Sequence, residues 1–332
     1  MKKFLIVSDI HVHKYKAFNQ DNRRLTNLIR LLKDIWICAN EQNAVILFCG
    51  DMFNNMQLIQ TEVVDAVTKL FEDMSKEYPN VTWLMISGNH DYATKNFYER
   101  PAVSALSSLA RVSANVLILD NRSWSGSDCM VYGVPYYEYE EGLVKAMEDV
   151  SRAAEMDGHK YKILLMHQIL GFGHELVPDD IDPADILFEP FDMVFNGHIH
   201  THSELGPNFY NVGSPVHRDA GDIGQSKGFL LLTVPDNKVE RILTEGYPEF
   251  RQLPAGQPLP IEWEGDYIID VPEEIQVAPE EQEIREQFNH TKKSRAELLN
   301  NFTTIKLANK PKKFQKAVAT YGAKLLHDEV EV

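Results

Sequence analysis

Residues 81–91 read VTWLMISGNHD: an apolar run from Val81 to Ile86 that halts at Ser87-Gly88-Asn89-His90-Asp91. A short unbroken apolar run suits a strand buried on both faces, the kind found inside layered α/β sheets. The same pattern recurs on either side. Phe4–Val7 halts at Ser8-Asp9-Ile10-His11, and Ala44–Cys49 halts at Gly50-Asp51. Tyr161–Met166 halts at His167, and Met193–Phe195 runs into Gly197-His198-Ile199-His200. Apolar positions at helical spacing predict helices over Arg24–Ala39, Thr61–Met74 and Glu141–Ala154, with further strands over 116–119, 129–134, 208–212 and 229–234. Segments 171–190 and 217–228, rich in Gly, Pro and Asp, read as loops. Strand alternating with helix implies an α/β fold.

In such sheets ligands bind beyond the carboxyl ends of the strands. Five strand ends here deliver Asp9, Asp51, Asn89, His11, His167, His198 and His200 to one rim, with His90 to spare. Carboxylate, amide oxygen and imidazole without thiolate suit Mn, Fe, Zn or Co rather than oxygen-bound Ca. The i, i+2 spacing of Asp9/His11 and His198/His200 predicts pairs on one face of each strand end. Two ions about 3.5–4 Å apart need such paired donors and one bridging carboxylate.

The chain has 332 residues, 44% hydrophobic and 25% charged, an ordinary globular composition that excludes disordered and fibrous classes. No apolar stretch is long enough to span a membrane, and Phe4–Val7 is too short for a signal peptide. Cys38, Cys49 and Cys129 are scattered, so neither a disulfide framework nor a CxxC zinc site is expected, which points to the cytoplasm. The net charge of −16 argues against coating nucleic acid. Between Arg285 and His327, however, ten Lys/Arg face two Glu, a local +8 that leaves −24 on the remainder.

The ordered series Asp9-x-His11, Gly50-Asp51, Gly88-Asn89-His90-Asp91, His167 and Gly197-His198-x-His200 resembles the calcineurin-like metallophosphoesterase superfamily over about residues 1–235. Within it, Asn22-Arg23-Arg24, Gly50-Asp51-Met52-Phe53, Val131–Tyr136 and Gly213-Ser214-Pro215 most resemble the Mre11/SbcD-type DNA-repair nuclease subunits. The resemblance implies a four-layer αββα sandwich over 1–235, a small cap or linker over 236–280 and a basic helical tail over 281–332. Asp9, His11, Asp51 and His200 would hold one divalent ion; Asp51, Asn89, His167 and His198 would hold the second. Mn2+ is the first choice, with Mg2+, Fe2+ or Zn2+ as alternatives. His90 would act as general acid or transition-state donor, with Asp91 orienting and charging its ring.

The implied activity is two-metal exo- or endonucleolytic hydrolysis of DNA within a complex with a Rad50/SbcC-like coiled-coil ATPase. That ATPase would dock on the tail helices, and the subunit would be a homodimer, for which helix 61–74 is a candidate, though a core-packed helix is the default. The alternative is a phosphodiesterase or phosphatase acting on a small nucleotide, which would not need the tail. A non-catalytic scaffold is disfavoured because no ligand position is missing. Asn54 departs from the His or Asp often found there and puts the exonuclease geometry in question. His13 and His174 read as loop residues, His202 as solvent-facing and His217 as a candidate to touch substrate.

Overall fold

Strict alternation along β1 (Lys2–Val7) sets the layering. Leu5 and Val7 join one buried cluster, Phe4 and Ile6 another. In a computed structural model, which describes residues 2–54, 58–92, 104–170, 188–254, 257–263 and 265–271, β1 lies inside a six-stranded sheet. It pairs in parallel with β2 (Ala44–Phe48), which leads on to β3 (Trp83–Met85) and β4 (Val116–Ile118). On its other side it pairs antiparallel with β11 (Gly228–Val234) and through that with β12 (Lys238–Leu243).

A second six-stranded sheet has the order β5-β6-β7-β8-β10-β9. Its centre is the parallel trio β6 (Cys129–Val134), β7 (Tyr161–His167) and β8 (Met193–Gly197). Around it stand β5 (Arg122–Ser125), β9 (Ser203–Gly206) and β10 (Phe209–Asn211). The two sheets face each other across one apolar layer, where Ile6, Leu47 and Ile86 meet Val131, Ile163 and Phe195.

Helices cover both outer faces. α1 (Arg23–Gln42), α2 (Thr61–Glu77) and α3 (Leu106–Val112) lie on the first sheet, where Trp36, Phe71 and Trp83 form a fully buried aromatic knot. Each such ring contributes about 1.5–3 kcal/mol through burial alone. α4 (Glu140–Met156) covers the second sheet with Leu143, Met147 and Ala154. The result is the expected αββα sandwich. α2 buries Val63, Val67, Phe71 and Met74 in its own chain, which is the default reading of that helix.

The expected boundary after residue 235 needs correction. It falls in the turn between β11 and β12, which pair along six residues of one sheet. The compact unit runs Met1–Leu253 with Gln257–Asp270 and includes all but the last residue of each strand of the two-stranded sheet β13 (Phe250–Pro254) and β14 (Tyr267–Val271). β12 escapes notice in the sequence because, as an edge strand, it pairs on one side only and exposes Lys238, Glu240 and Arg241. The helical tail expected over 281–332 lies outside the described residues, as do His174 and most of the loop over 171–190.

Candidate metal centre

The loops after β1 and β2 are laced together by their backbones. Asp9, His11 and Val12 donate N–H bonds to the carbonyls of Gly50, Asp51 and Met52 at 3.0, 3.0 and 2.7 Å. Asp9, His11 and Asp51 take left-handed φ values of 55°, 51° and 61°, and His198 takes 81°. Non-glycine residues seldom adopt this conformation, and such strain concentrates at functional sites. Asp9 and His11 therefore converge through a coiled loop, not through the pleat of a strand as their spacing suggests. Close approach requires glycine at two of the motif positions. A Cβ on Gly88 would strike the Asp51 carboxylate, and one on Gly197 would strike the Cys49 carbonyl and the Ser8 hydroxyl.

The seven expected ligands come together in two groups. In the first, the Nε2 atoms of His11 and His200 are 3.0 Å apart, and each is 3.8 Å from Asp9 Oδ1. In the second, Asn89 Oδ1 is 3.2 Å from His167 Nε2 and 3.1 Å from His198 Nδ1, and those two nitrogens are 3.3 Å apart. Asp51 joins the groups through one atom. Its Oδ2 lies 3.5 Å from His11 Nε2 and 3.4 Å from His167 Nε2, while Oδ1 is fixed by the His90 N–H at 2.8 Å.

Proton placement follows from the neighbours. His167 Nδ1 lies 2.6 Å from the Cys49 carbonyl, which can only accept, so Nδ1 carries the hydrogen and Nε2 presents a lone pair. That lone pair faces the oxygens of Asn89 and Asp51. Acceptors so crowded repel unless a proton or a metal cation lies among them. With protons as the only cations, burial would lower the His167 pKa, but the Asp51 charge outweighs it and pushes the ring up to about 9. Burial would raise the carboxyl of Asp51, yet His167, His11 and His90 hold it well below the usual range. Asp9 is likewise held low, against burial, by His11, His167 and His200. Burial takes His198 and His200 down to about 4, which leaves both rings neutral with lone pairs available. Two ionised carboxylates, an amide oxygen and four imidazoles make a donor set that fits divalent cations.

The sequence model for the calcineurin-like phosphoesterases matches residues 2–202, which span all seven positions. The chain belongs to this family. Among solved structures it is similar to an archaeal phosphodiesterase, with 16% identity over 73% of this chain and 99% of that one and a TM-score of 0.34. It is also similar to a putative 5′-nucleotidase from Staphylococcus aureus, with 13% identity over 86% of this chain and 58% of that one and a TM-score of 0.45. No curated protein gives a match. Membership makes the chain a phosphoester hydrolase of a divalent-metal family, and the two donor groups are its candidate metal-binding residues.

Around this phosphoesterase centre the structure corrects the roles expected of Asp91 and His217. Asp91 does not touch the His90 ring. Its buried carboxylate turns back to accept N–H bonds from Asp51 at 2.8 Å, Gly88 at 3.0 Å and Phe53 at 3.1 Å. Asp91 thus braces the loop that carries Asp51. The His90 ring is oriented by the Asn54 carbonyl, 2.8 Å from Nδ1, which leaves Nε2 free. Asn54 therefore meets His90 through its backbone, and its side chain accepts from the Tyr15 hydroxyl at 3.4 Å. His217 is a structural residue: Nδ1 accepts from the Phe250 N–H at 3.1 Å and Nε2 donates to the Gln225 carbonyl at 2.8 Å, so both ring nitrogens are engaged. His202 is half-buried and donates from Nδ1 to the Asn211 carbonyl at 3.0 Å. His13 packs its ring on Tyr15.

Several supporting residues give no signal in the sequence. Asn196 receives the Gln168 N–H and donates to the Gln168 carbonyl and Asn211 Oδ1, while Asn211 donates to the carbonyls of Ile199 and Thr201. Together they fix the loop that carries His198 and His200. Buried Lys227 donates to the His200 carbonyl at 3.0 Å and pairs with Asp222. Tyr136 stacks on His198 with ring centres 5.8 Å apart. The Arg218 guanidinium reaches the first donor group. Among the described residues, no helix is long and apolar enough to cross a membrane.

Proposed function

We propose that the chain is a two-metal phosphodiester hydrolase, with Asp9, His11, Asp51 and His200 holding one ion and Asp51, Asn89, His167 and His198 the other. The observation that carries this reading is Asp51 Oδ2, one oxygen within 3.5 Å of both donor groups. A divalent pair, when bound, supplies Lewis-acid charge for the phosphate and an activated water. The protein supplies the frame. Asp51 is held by the His90 N–H and His167 by the Cys49 carbonyl, so donors stand in place before substrate arrives. His90 moves a proton at Nε2, the nitrogen that Asn54 leaves free, and so serves the leaving alkoxide.

For substrate we favour DNA and the role of an SbcD-type nuclease subunit working with a coiled-coil ATPase. Support comes from the ordered motif series and from the +8 segment between Arg285 and His327, which suits a phosphate backbone or an acidic partner surface. The net charge of −24 on the remainder favours a second reading, a small nucleotide diester, because an acidic body repels polyanions. The test compares Mn2+-dependent cleavage of linear duplex DNA with that of bis-p-nitrophenyl phosphate and cyclic nucleotides, with and without the ATPase. Cleavage of DNA is expected. Turnover of the small diesters alone, with the ATPase present, would overturn the nuclease reading in favour of the second.

A further inference from the structure

The loop from Gly213 to Lys227 is more firmly built than its Gly and Asp content suggests. His217 is locked through both ring nitrogens, Asp219 and Asp222 form a reciprocal capping box, and Lys227 is paired inside with Asp222. Arg218 sits at its centre. Its backbone N–H donates to Asp222 Oδ2 at 2.6 Å, and its carbonyl accepts from Arg24 Nη2 at 2.5 Å. Arg24 is itself buried, with its guanidinium 3.6 Å from the centre of the Tyr15 ring. The backbone of Arg218 is thus pinned from both sides.

Its side chain is aimed with equal definition. Nε pairs with Asp219 Oδ2 at 3.2 Å at the surface, while Nη1 points inward to within 3.2 Å of His200 Nε2 and 3.4 Å of His11 Nε2. Those two nitrogens belong to the first donor group. A guanidinium stays charged, and its flat fork matches the oxygens of a phosphate. Once a metal cation engages the two imidazole lone pairs, Nη1 loses its acceptors and faces a like charge. An anion between the two cations resolves both problems.

We infer that Arg218 is a catalytic residue that binds a non-bridging oxygen of the substrate phosphate beside the first donor group. This rests on the two-metal reading above and deepens it. The arginine and the metal oppose each other in the absence of substrate and cooperate in its presence. Its removal therefore has effects of opposite sign on the two ligands, which a merely structural residue does not produce.

The experiment uses the full chain with Arg218→Gln and Arg218→Lys, each checked for wild-type circular dichroism. Calorimetric titration with Mn2+ measures the metal, and titration of the Mn2+-loaded protein with inorganic phosphate measures the anion. The expected result is Mn2+ affinity equal to wild type or tighter, with phosphate affinity lower by roughly 10- to 100-fold in Arg218→Gln, the range of a charged hydrogen bond. Arg218→Lys, which keeps charge without the fork, should fall between. A parallel rise in KM for bis-p-nitrophenyl phosphate should accompany the loss. Weakened Mn2+ binding would make Arg218 a brace of the metal site and overturn the inference. Phosphate affinity unchanged in Arg218→Gln, while the wild type hydrolyses the diester, would also overturn it and leave the two-metal reading standing. A wild type that binds Mn2+ but neither phosphate nor diester would remove both. A variant that unfolds shows Arg218 to be structural and overturns the inference as well.

Discussion

Among the described residues, two clusters pair histidine with aspartate at hydrogen-bond distance, and only one of them has the features of a working site. At the surface, Ser125 Oγ lies 3.1 Å from His159 Nε2, and His159 Nδ1 lies 2.6 Å from Asp157 Oδ1, the spacing of a nucleophile relay. Ser125 is exposed on an edge strand, and the adjacent Gly126 N–H is already donated to the Cys129 carbonyl, so it cannot help to form an oxyanion hole. At the rim between the two sheets, Asp9, His11, Asp51 and His167 are buried, three of those four have strained backbones, and a backbone amide or carbonyl fixes Asp9, Asp51 and His167 from behind. The difference is one of constraint, not of distance. Ion pairs form readily at a surface and contribute little. Buried, uncompensated acceptors that all face one point are costly, and they persist where a cation rewards them.

That contrast is most exposed at Asp51. Asp51→Asn keeps the shape and removes the shared charge. We expect both ions to bind more weakly and diester hydrolysis to fall by roughly 10³-fold or more, as anomalous scattering and initial rates would show. Two fully occupied ions in this variant would contradict the bridging role. His90→Ala comes next. Metal content should stay at the wild-type level while kcat falls by roughly 10²-fold or more, the usual contribution of a positioned proton donor. An unchanged kcat would remove His90 from the chemistry.

Asp91 tests the brace behind the centre. Asp91→Ala leaves three backbone N–H groups without their acceptor beneath the Asp51 loop. Unfolding in urea should show a loss of about 3 kcal/mol. A residue that only charged the His90 ring would instead change rate with stability intact.

How much of this is legible in the sequence depends on which physical signal each residue leaves. Cys129–Val134 is readable to the residue because a central strand must be apolar on both faces. β12 and α3 are not: the first is a polar edge, and the second is a seven-residue helix with only Leu106 and Leu109 buried. The donor positions are readable because each stands at or just beyond the end of a strand and the residue types suit one chemistry. The role of Asp91 is misread because adjacency to His90 says nothing about which way a carboxylate turns, and three amide groups behind it decide that. His217 and Arg218 show the same limit. The histidine draws attention by type, yet both its nitrogens are engaged inside the loop, and the neighbouring arginine is the residue that faces the centre.

The surface cluster yields the smallest expected effects and the cleanest separation from the rim. His159→Ala should leave diester hydrolysis unchanged, and Ser125 should resist a fluorophosphonate probe; labelling of Ser125 would show that the relay is active after all. The pair should still register in acid. Burial raises the Asp157 carboxyl, but hydrogen bonds from His159 and the Tyr132 hydroxyl outweigh that and hold it at about 2. A carboxyl lowered on folding stabilises the folded state above its unfolded value of 3.8 and loses that contribution as pH falls toward 2. The wild type should therefore shed stability between pH 5 and 3 more steeply than Asp157→Asn, as urea midpoints measured side by side would show. Parallel slopes would mean that the short contact at Asp157 has no thermodynamic weight, and the contrast with the buried rim would then be sharper than the distances suggest.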